Sequence, residues 1–360
     1  MTILDNLPQI KKLDQQNVYG SIENLAKQCS HAWEDCKNIK VSDDYQNINK
    51  IVMTGMGGSG LGARVIESVF GLELKMPLIR INDYDLPDWV DNKTLVICSS
   101  YSGTTEEIVS TAKQAEAKKT KWMTICAGGK LLEMAQKNKV PAYKIDPIYN
   151  PSNQPRMAIG YSIIGQLALV SKTGIINISQ QDIDNITLIM QQVIEENNIK
   201  IPFEQNPAKK MAKTIFQKQV IIVPARHLKG AVHTFKNQMN ENAKNLSHRH
   251  DIPELNHHLM EGLKFPKNNK QDLVFLFINS SLYPKRIQQR FKITDDVVKK
   301  NKIKTLSWKA TAKDKLSQTF QFIQFGAFVN FYLAMLYSIN PAPVPWVDYF
   351  KIKLGQPLGK

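Results

Sequence analysis

Short apolar runs recur through the first half of the chain, at 51–54, 78–81, 94–98, 121–126 and 141–144, and helical periodicity fills the gaps between them. Short, mostly apolar runs such as Ile51–Thr54, with its β-branched residues, suit a parallel strand covered on both faces. Their alternation with helices predicts an α/β fold, a parallel sheet sandwiched by helices, with ligands beyond the carboxyl ends of the strands. A second series follows, with strands at 219–224, 272–278 and 303–307 and helices at 284–301 and 314–338. The chain thus reads as two units of one architecture. Between them, Pro147 to Pro155 can be neither helix nor central strand. Helices are expected from Arg156 to about Lys172 and from Asp182 to Asn197. The expected organisation is a helical lead-in over 1–48, with Ile22, Leu25, Ala26, Cys29 and Trp33 on one stripe, a first domain over 49–175, a crossover over 176–205 and a second domain over 206–360.

The first strand runs into Gly55-Met-Gly-Gly-Ser59-Gly-Leu-Gly62 and then a helix. Glycines let backbone approach a ligand closely, and the following helix turns its unpaired N–H groups towards the same place, which stabilises an anion. Gly55, Gly57 and Gly60 formally match the dinucleotide fingerprint, with Asp83 downstream, but a lone match is weak, and no Gly-Lys-Ser/Thr follows to make a Walker loop. The loop after the third run, Ser99-Ser-Tyr-Ser-Gly-Thr-Thr105, separates the readings. A phosphomonoester has three oxygens to satisfy, and a second hydroxyl-rich turn at a neighbouring strand end suits it. Gly58, Ser59, Ser100, Ser102 and Thr105 are the candidate phosphate-binding residues. An ordinary helix cap at Thr104 or Thr105 would explain one of these hydroxyls and not the set.

Composition changes this picture little. A hydrophobic fraction of 42% and a charged fraction of 22% are those of a globular protein, no run reaches the length of a membrane span, and the first residues lack a secretion signal. Cys29, Cys36, Cys98 and Cys126 lack metal-like spacing and read as reduced core thiols, which points to the cytoplasm. The net charge of +15 is spread along helix faces without an arginine-rich arm, so it suggests attraction of anionic metabolites rather than nucleic acid.

In the second half the polar segment 235–244 centres on Glu241, which in helical register shares a face with Gln238, Lys244 and Asn245; composition alone reads this as a solvated face. His248, His250, His257 and His258 follow without metal-type spacing, and no metal or cofactor is expected. With Gly55-Met-Gly-Gly-Ser59, Ser100-Tyr-Ser-Gly-x-Thr105, Pro155-Arg156, Asn240-Glu241-Asn242 and Glu254-Leu-Asn-His257, the chain resembles the bifunctional phosphoglucose/phosphomannose isomerase family, built from two sugar-isomerase (SIS) domains. The resemblance runs from about residue 40 to Leu354.

It implies a ketol-isomerase interconverting fructose 6-phosphate with glucose 6-phosphate, mannose 6-phosphate being a candidate second partner, by proton transfer through an enediolate. By the family pattern Glu241 is the base, His257 opens the sugar ring from a partner subunit of a homodimer, Arg156 faces the enediolate oxygens, and Lys351, with Lys353 close by, contacts the ring-oxygen region. Thr104 stands where the family carries asparagine, and Leu259 replaces a more polar residue. Ala342 replaces the threonine of an Asp-Pro-Thr-Pro segment, which bears on the mannose 6-phosphate activity more than on the glucose 6-phosphate one. The rival readings are a non-catalytic sugar-phosphate sensor, for which no DNA-binding module precedes residue 50, and an isomerase of another phosphosugar.

Overall fold

The computed structural model describes residues 2–355. They form two compact units, and neither is contiguous in sequence. One consists of Gln16–Thr187 with the residues from Val344 onward; the other consists of the residues up to Gln15 with Leu188–Pro343. The boundary falls within the helix Gln180–Asn197. This differs from the expected division at both ends of the chain. At the N-terminus the cause is a buried cation: the fully buried Lys209 donates to Asp5 Oδ1 (2.9 Å) and to the carbonyls of Ile199 (3.0 Å) and Ile201 (2.8 Å). An ammonium taken out of water needs such partners, and it pins the turn Ile3–Asp5 to this unit.

In the first unit β1 (Lys50–Gly55), β2 (Leu78–Ile81), β3 (Thr94–Ser99), β4 (Lys121–Cys126) and β5 (Ala142–Lys144) form a parallel sheet in the order β2-β1-β3-β4-β5. Strand β3 is buried along its whole length, as its unbroken apolar run requires. Val52, Val96, Cys98 and Trp122 pack with Ile108 and Ala112 of the helix Glu106–Ala117 in one core cluster. The lead-in is broken: helices Val18–Glu23 and Leu25–Lys37 meet at Asn24. All four cysteines are free and buried, and burial pushes the Cys98 thiol up to about 12 and that of Cys126 up to about 11.

The second unit repeats the scheme with β6 (Gln219–Val223), β7 (Ser247–Arg249), β8 (Leu273–Asn279) and β9 (Lys304–Lys309), all parallel, in the order β7-β6-β8-β9. Its centre is the helix Lys315–Leu336, with 22 residues long and apolar enough by composition to cross a membrane, contrary to the sequence expectation; 94% of its most apolar window is buried inside the fold. An apolar helix of this kind serves as a core helix when other elements cover it on every side. It packs on the helix Lys229–Asn242, where Gly326 faces the Phe235 ring and Asn330 Nδ2 donates to the Phe235 carbonyl at 3.0 Å.

Candidate active site

Strands β1 and β3 are neighbours, but a chain leaving β1 reaches β2 on the other side first. The crevice beyond the carboxyl ends of β1 and β3 is therefore the topological switch point, where open α/β sheets bind ligands. Both hydroxyl-bearing loops emerge there. After β1 the chain makes a 3-10 turn over Gly57–Gly60 and enters the helix Leu61–Phe70. Gly57 takes a left-handed φ of 51°, which glycine adopts without strain, and a Cβ on Gly60 would sit 2.5 Å from the Gly55 carbonyl oxygen, so the tight path excludes a side chain at Gly60.

The two loops are bonded to each other. Ser59 Oγ accepts from the Tyr101 N–H at 2.9 Å, and the Ser59 carbonyl accepts from Gln166 Nε2 at 2.8 Å. In the second loop Ser100 Oγ lies 2.8 Å from Thr105 Oγ1 and also accepts from the Gly103 N–H at 3.1 Å. Ser102 Oγ accepts from the Thr104 hydroxyl at 3.0 Å. Thr105 does occupy the N-cap position of Glu106–Ala117, yet its side chain makes no capping bond. Its hydroxyl is turned towards Ser100 instead, so capping does not account for it.

Arg156 joins this cluster. It lies in a 3-10 turn, Pro155–Met157, that precedes the helix Ile159–Lys172 rather than opening it. Its Cα would be 3.4 Å from a Cβ placed on Gly58, so the missing side chain of Gly58 lets the two backbones meet. Arg156 is only 5% exposed, and its Nη1 donates to Gln154 Oε1 at 2.8 Å. Gly58, Ser59, Ser100, Ser102, Thr105 and Arg156 are thus brought together in one unit.

Polar residues that the sequence reading passed over hold this arrangement. Gln28 is fully buried, with Nε2 donating to the carbonyls of Tyr149 (3.1 Å) and Met157 (2.9 Å) and Oε1 accepting from the Gly160 N–H (3.2 Å). Asn150 Oδ1 accepts from Ser21 Oγ and Ser152 Oγ, both at 2.9 Å, and its amide donates to the Gln154 carbonyl. Gln28, Asn150 and Gln166 each interrupt an apolar or turn-forming stretch; a lone amide inside a helical apolar stripe was the available signal.

In the other unit Glu241 stands one residue before the end of the helix Lys229–Asn242 and is half-buried. The helix stops because Lys244 adopts a left-handed conformation, with a φ of 52°. The expected face shared by Glu241, Lys244 and Asn245 therefore does not exist. Gln238, expected on a solvated face, is 2% exposed. His257, itself exposed, ends the 3-10 turn Glu254–His257, which Asn256 anchors by donating to Thr294 Oγ1 (2.7 Å) and accepting from Arg290 Nη1 (3.1 Å). Lys351 and Lys353 belong instead to the first unit, on the helix Pro345–Leu354, with the Lys353 ammonium 5.8 Å from the centre of the Tyr349 ring.

At the end of β6 the chain makes the turn that follows β1, with Arg226 at a φ of 49° in the place of Gly57. Next to it, His227 is 2% exposed, its Nε2 2.8 Å from Gln318 Oε1 and its ring edge-on to Tyr283.

A bifunctional phosphoglucose/phosphomannose isomerase from Caldicellulosiruptor bescii is 35% identical over 342 residues, 94% of this chain and 99% of that one. The chain belongs to the bifunctional phosphoglucose/phosphomannose isomerase family. A second member, from Thermoplasma volcanium, is 30% identical over 85% of this chain and 92% of its own. The family model for the bacterial phospho-glucose isomerase C-terminal SIS domain matches residues 204–354, the part that holds Glu241, His257 and Lys351. The fold is that of a hypothetical protein from Thermus thermophilus, with a TM-score of 0.75 over 98% of this chain and 93% of that one at 14% identity. The parallel α/β architecture expected from the alternating pattern is thus present in both units, and the family model supports the SIS type that the resemblance implied.

Proposed function

We propose that this isomerase interconverts fructose 6-phosphate with glucose 6-phosphate, and to a lesser extent with mannose 6-phosphate, using the residues singled out above. The observation that carries the reading is the pair of bonded hydroxyl loops at the β1/β3 switch point with a buried arginine against them. Three phosphoryl oxygens need several donors, and Ser59, Ser100, Ser102 and Thr105 supply hydroxyls beside the backbone N–H groups of the Gly58 turn. With the phosphate held, the sugar's distal carbons are presented to the catalytic groups.

His257 and Lys351 move the proton between the ring oxygen and the C1 hydroxyl, which opens the ring. Glu241 then takes the proton from C2 of the aldose, the C1=O π electrons move to O1, and an enediolate forms. Arg156 offsets the charge on O1 and O2. The hydroxyl proton on O2 passes to O1, the O2 electrons form the C2 carbonyl, and the C=C electrons take the proton back from Glu241 at C1 to give the ketose, so no net acid or base is consumed. His257 is exposed at the end of its turn, which supports a homodimer in which it completes the partner's site. Four buried free thiols support a reducing compartment, and we place the enzyme in the cytoplasm.

Ala342, 2% exposed, brings no hydroxyl to its segment. The test is product analysis from fructose 6-phosphate by carbon NMR, with the two aldoses quantified separately. Glucose 6-phosphate in excess is expected; formation of neither aldose would remove the assignment.

A further inference from the structure

The carbonyls of a helix's last turn lack partners within the helix, and last turns fray. Glu241 sits in such a turn. Lys244, just beyond it, folds back so that its ammonium donates to the carbonyls of Glu241 (2.8 Å) and Asn242 (3.4 Å). The same nitrogen donates to the carbonyl of Pro341 at 3.1 Å, almost a hundred residues away in sequence. Pro341 belongs to a tight turn in which Asn340 Oδ1 accepts from the Ala342 N–H at 3.0 Å, with Ala342 buried. One cation therefore spans the turn that carries the carboxylate and the 340–343 segment, and it also complements the negative end of the helix dipole. Lys244 is an exposed residue, outside the buried core.

We propose that Lys244 is a positioning residue for the proton transfer, holding the Glu241 turn in register with the 340–343 segment. The proposal rests on the reading of Glu241 as the base. A carboxylate that must reach two neighbouring carbons in turn tolerates little drift, and a misplacement of about 1 Å is worth up to roughly 100-fold in rate.

The test compares Lys244→Gln, Lys244→Arg and Glu241→Gln on glucose 6-phosphate carrying deuterium at C2. For Lys244→Gln, kcat is expected to fall roughly tenfold or more while KM stays within about twofold, because alignment is lost and phosphate binding is not. The primary isotope effect on kcat is expected to rise as proton abstraction becomes the slow step, and Lys244→Arg should recover most of the rate. A kcat per folded molecule and an isotope effect both equal to wild type would overturn the proposal, whatever happens to the melting temperature. Turnover by Glu241→Gln would overturn the base assignment and this proposal together; loss there with full activity in Lys244→Gln overturns the positioning role alone. Should Lys244→Gln fail to fold, Lys244→Cys replaces it. The four native thiols are buried, so 2-bromoethylamine alkylates the new one selectively and restores an ammonium. Recovery of kcat on alkylation supports the proposal, and no recovery overturns it.

Discussion

The serine and threonine hydroxyls of the second loop each have a neighbour that sets their direction, and Thr105 shows what this implies. Its N-cap position would make it a stability residue, yet its oxygen is paired with Ser100. Thr105→Val keeps the shape and removes only the hydroxyl. Stability should therefore change by no more than about 0.5 kcal/mol, below the roughly 1 kcal/mol typical of losing a working cap. KM for fructose 6-phosphate should rise about tenfold or more, the loss of one charge-assisted hydrogen bond. Thermal melts and steady-state kinetics on one preparation check both. A large stability loss with unchanged KM would return Thr105 to the role of cap.

Helices and strands carry the pH response of the fold. His227 is buried between its own turn and the helix Lys315–Leu336, where desolvation first, and then the nearby Lys315, hold its pKa below the usual histidine value, against two opposing influences, the hydrogen bond accepted by Gln318 Oε1 and the nearby Asp314. In the unfolded chain the ring takes up a proton near pH 6.5, whereas in the fold it does so only at lower pH. Between those points the unfolded state binds more protons, so stability falls as pH drops below about 6.5. His227→Gln removes this contribution, and its unfolding midpoint should decline less between pH 7 and 5 than that of the wild type. Parallel declines would show that the histidine is not responsible.

The same scale shows what could be read from the chain. Strands β1, β3, β4, β6 and β8 were legible because buried parallel strands are written as apolar β-branched runs. Strand β7 was not: it is Ser-His-Arg, three polar residues on a sheet edge, and pairing with β6 makes it a strand. The end of the Glu241 helix was also hidden, since lysine rather than glycine takes the left-handed turn. The hydroxyl loops were legible from residue type and position after a strand. The amides that brace them were not, because Gln28 and Gln166 act through hydrogen bonds spanning more than a hundred residues.

At the scale of the whole molecule the formal charge of +15 favours the approach of a dianionic substrate. The value of kcat/KM for fructose 6-phosphate should therefore fall as salt is raised, as screening shortens from about 10 Å at 0.1 M to about 3 Å at 1 M, with kcat little changed. A flat kcat/KM over that range would show that the surface lysines serve solubility alone.

The central claim is that one carboxylate carries the proton between adjacent carbons. Its most direct test is deuterium incorporation from heavy water into fructose 6-phosphate and its aldose product, followed by proton NMR with wild type and Glu241→Gln under saturating substrate. The account expects label at C1 of the ketose and C2 of the aldose with the wild type, and none above background with the variant, although titration shows the variant still binding fructose 6-phosphate. Label entering at the wild-type rate in the variant would contradict it.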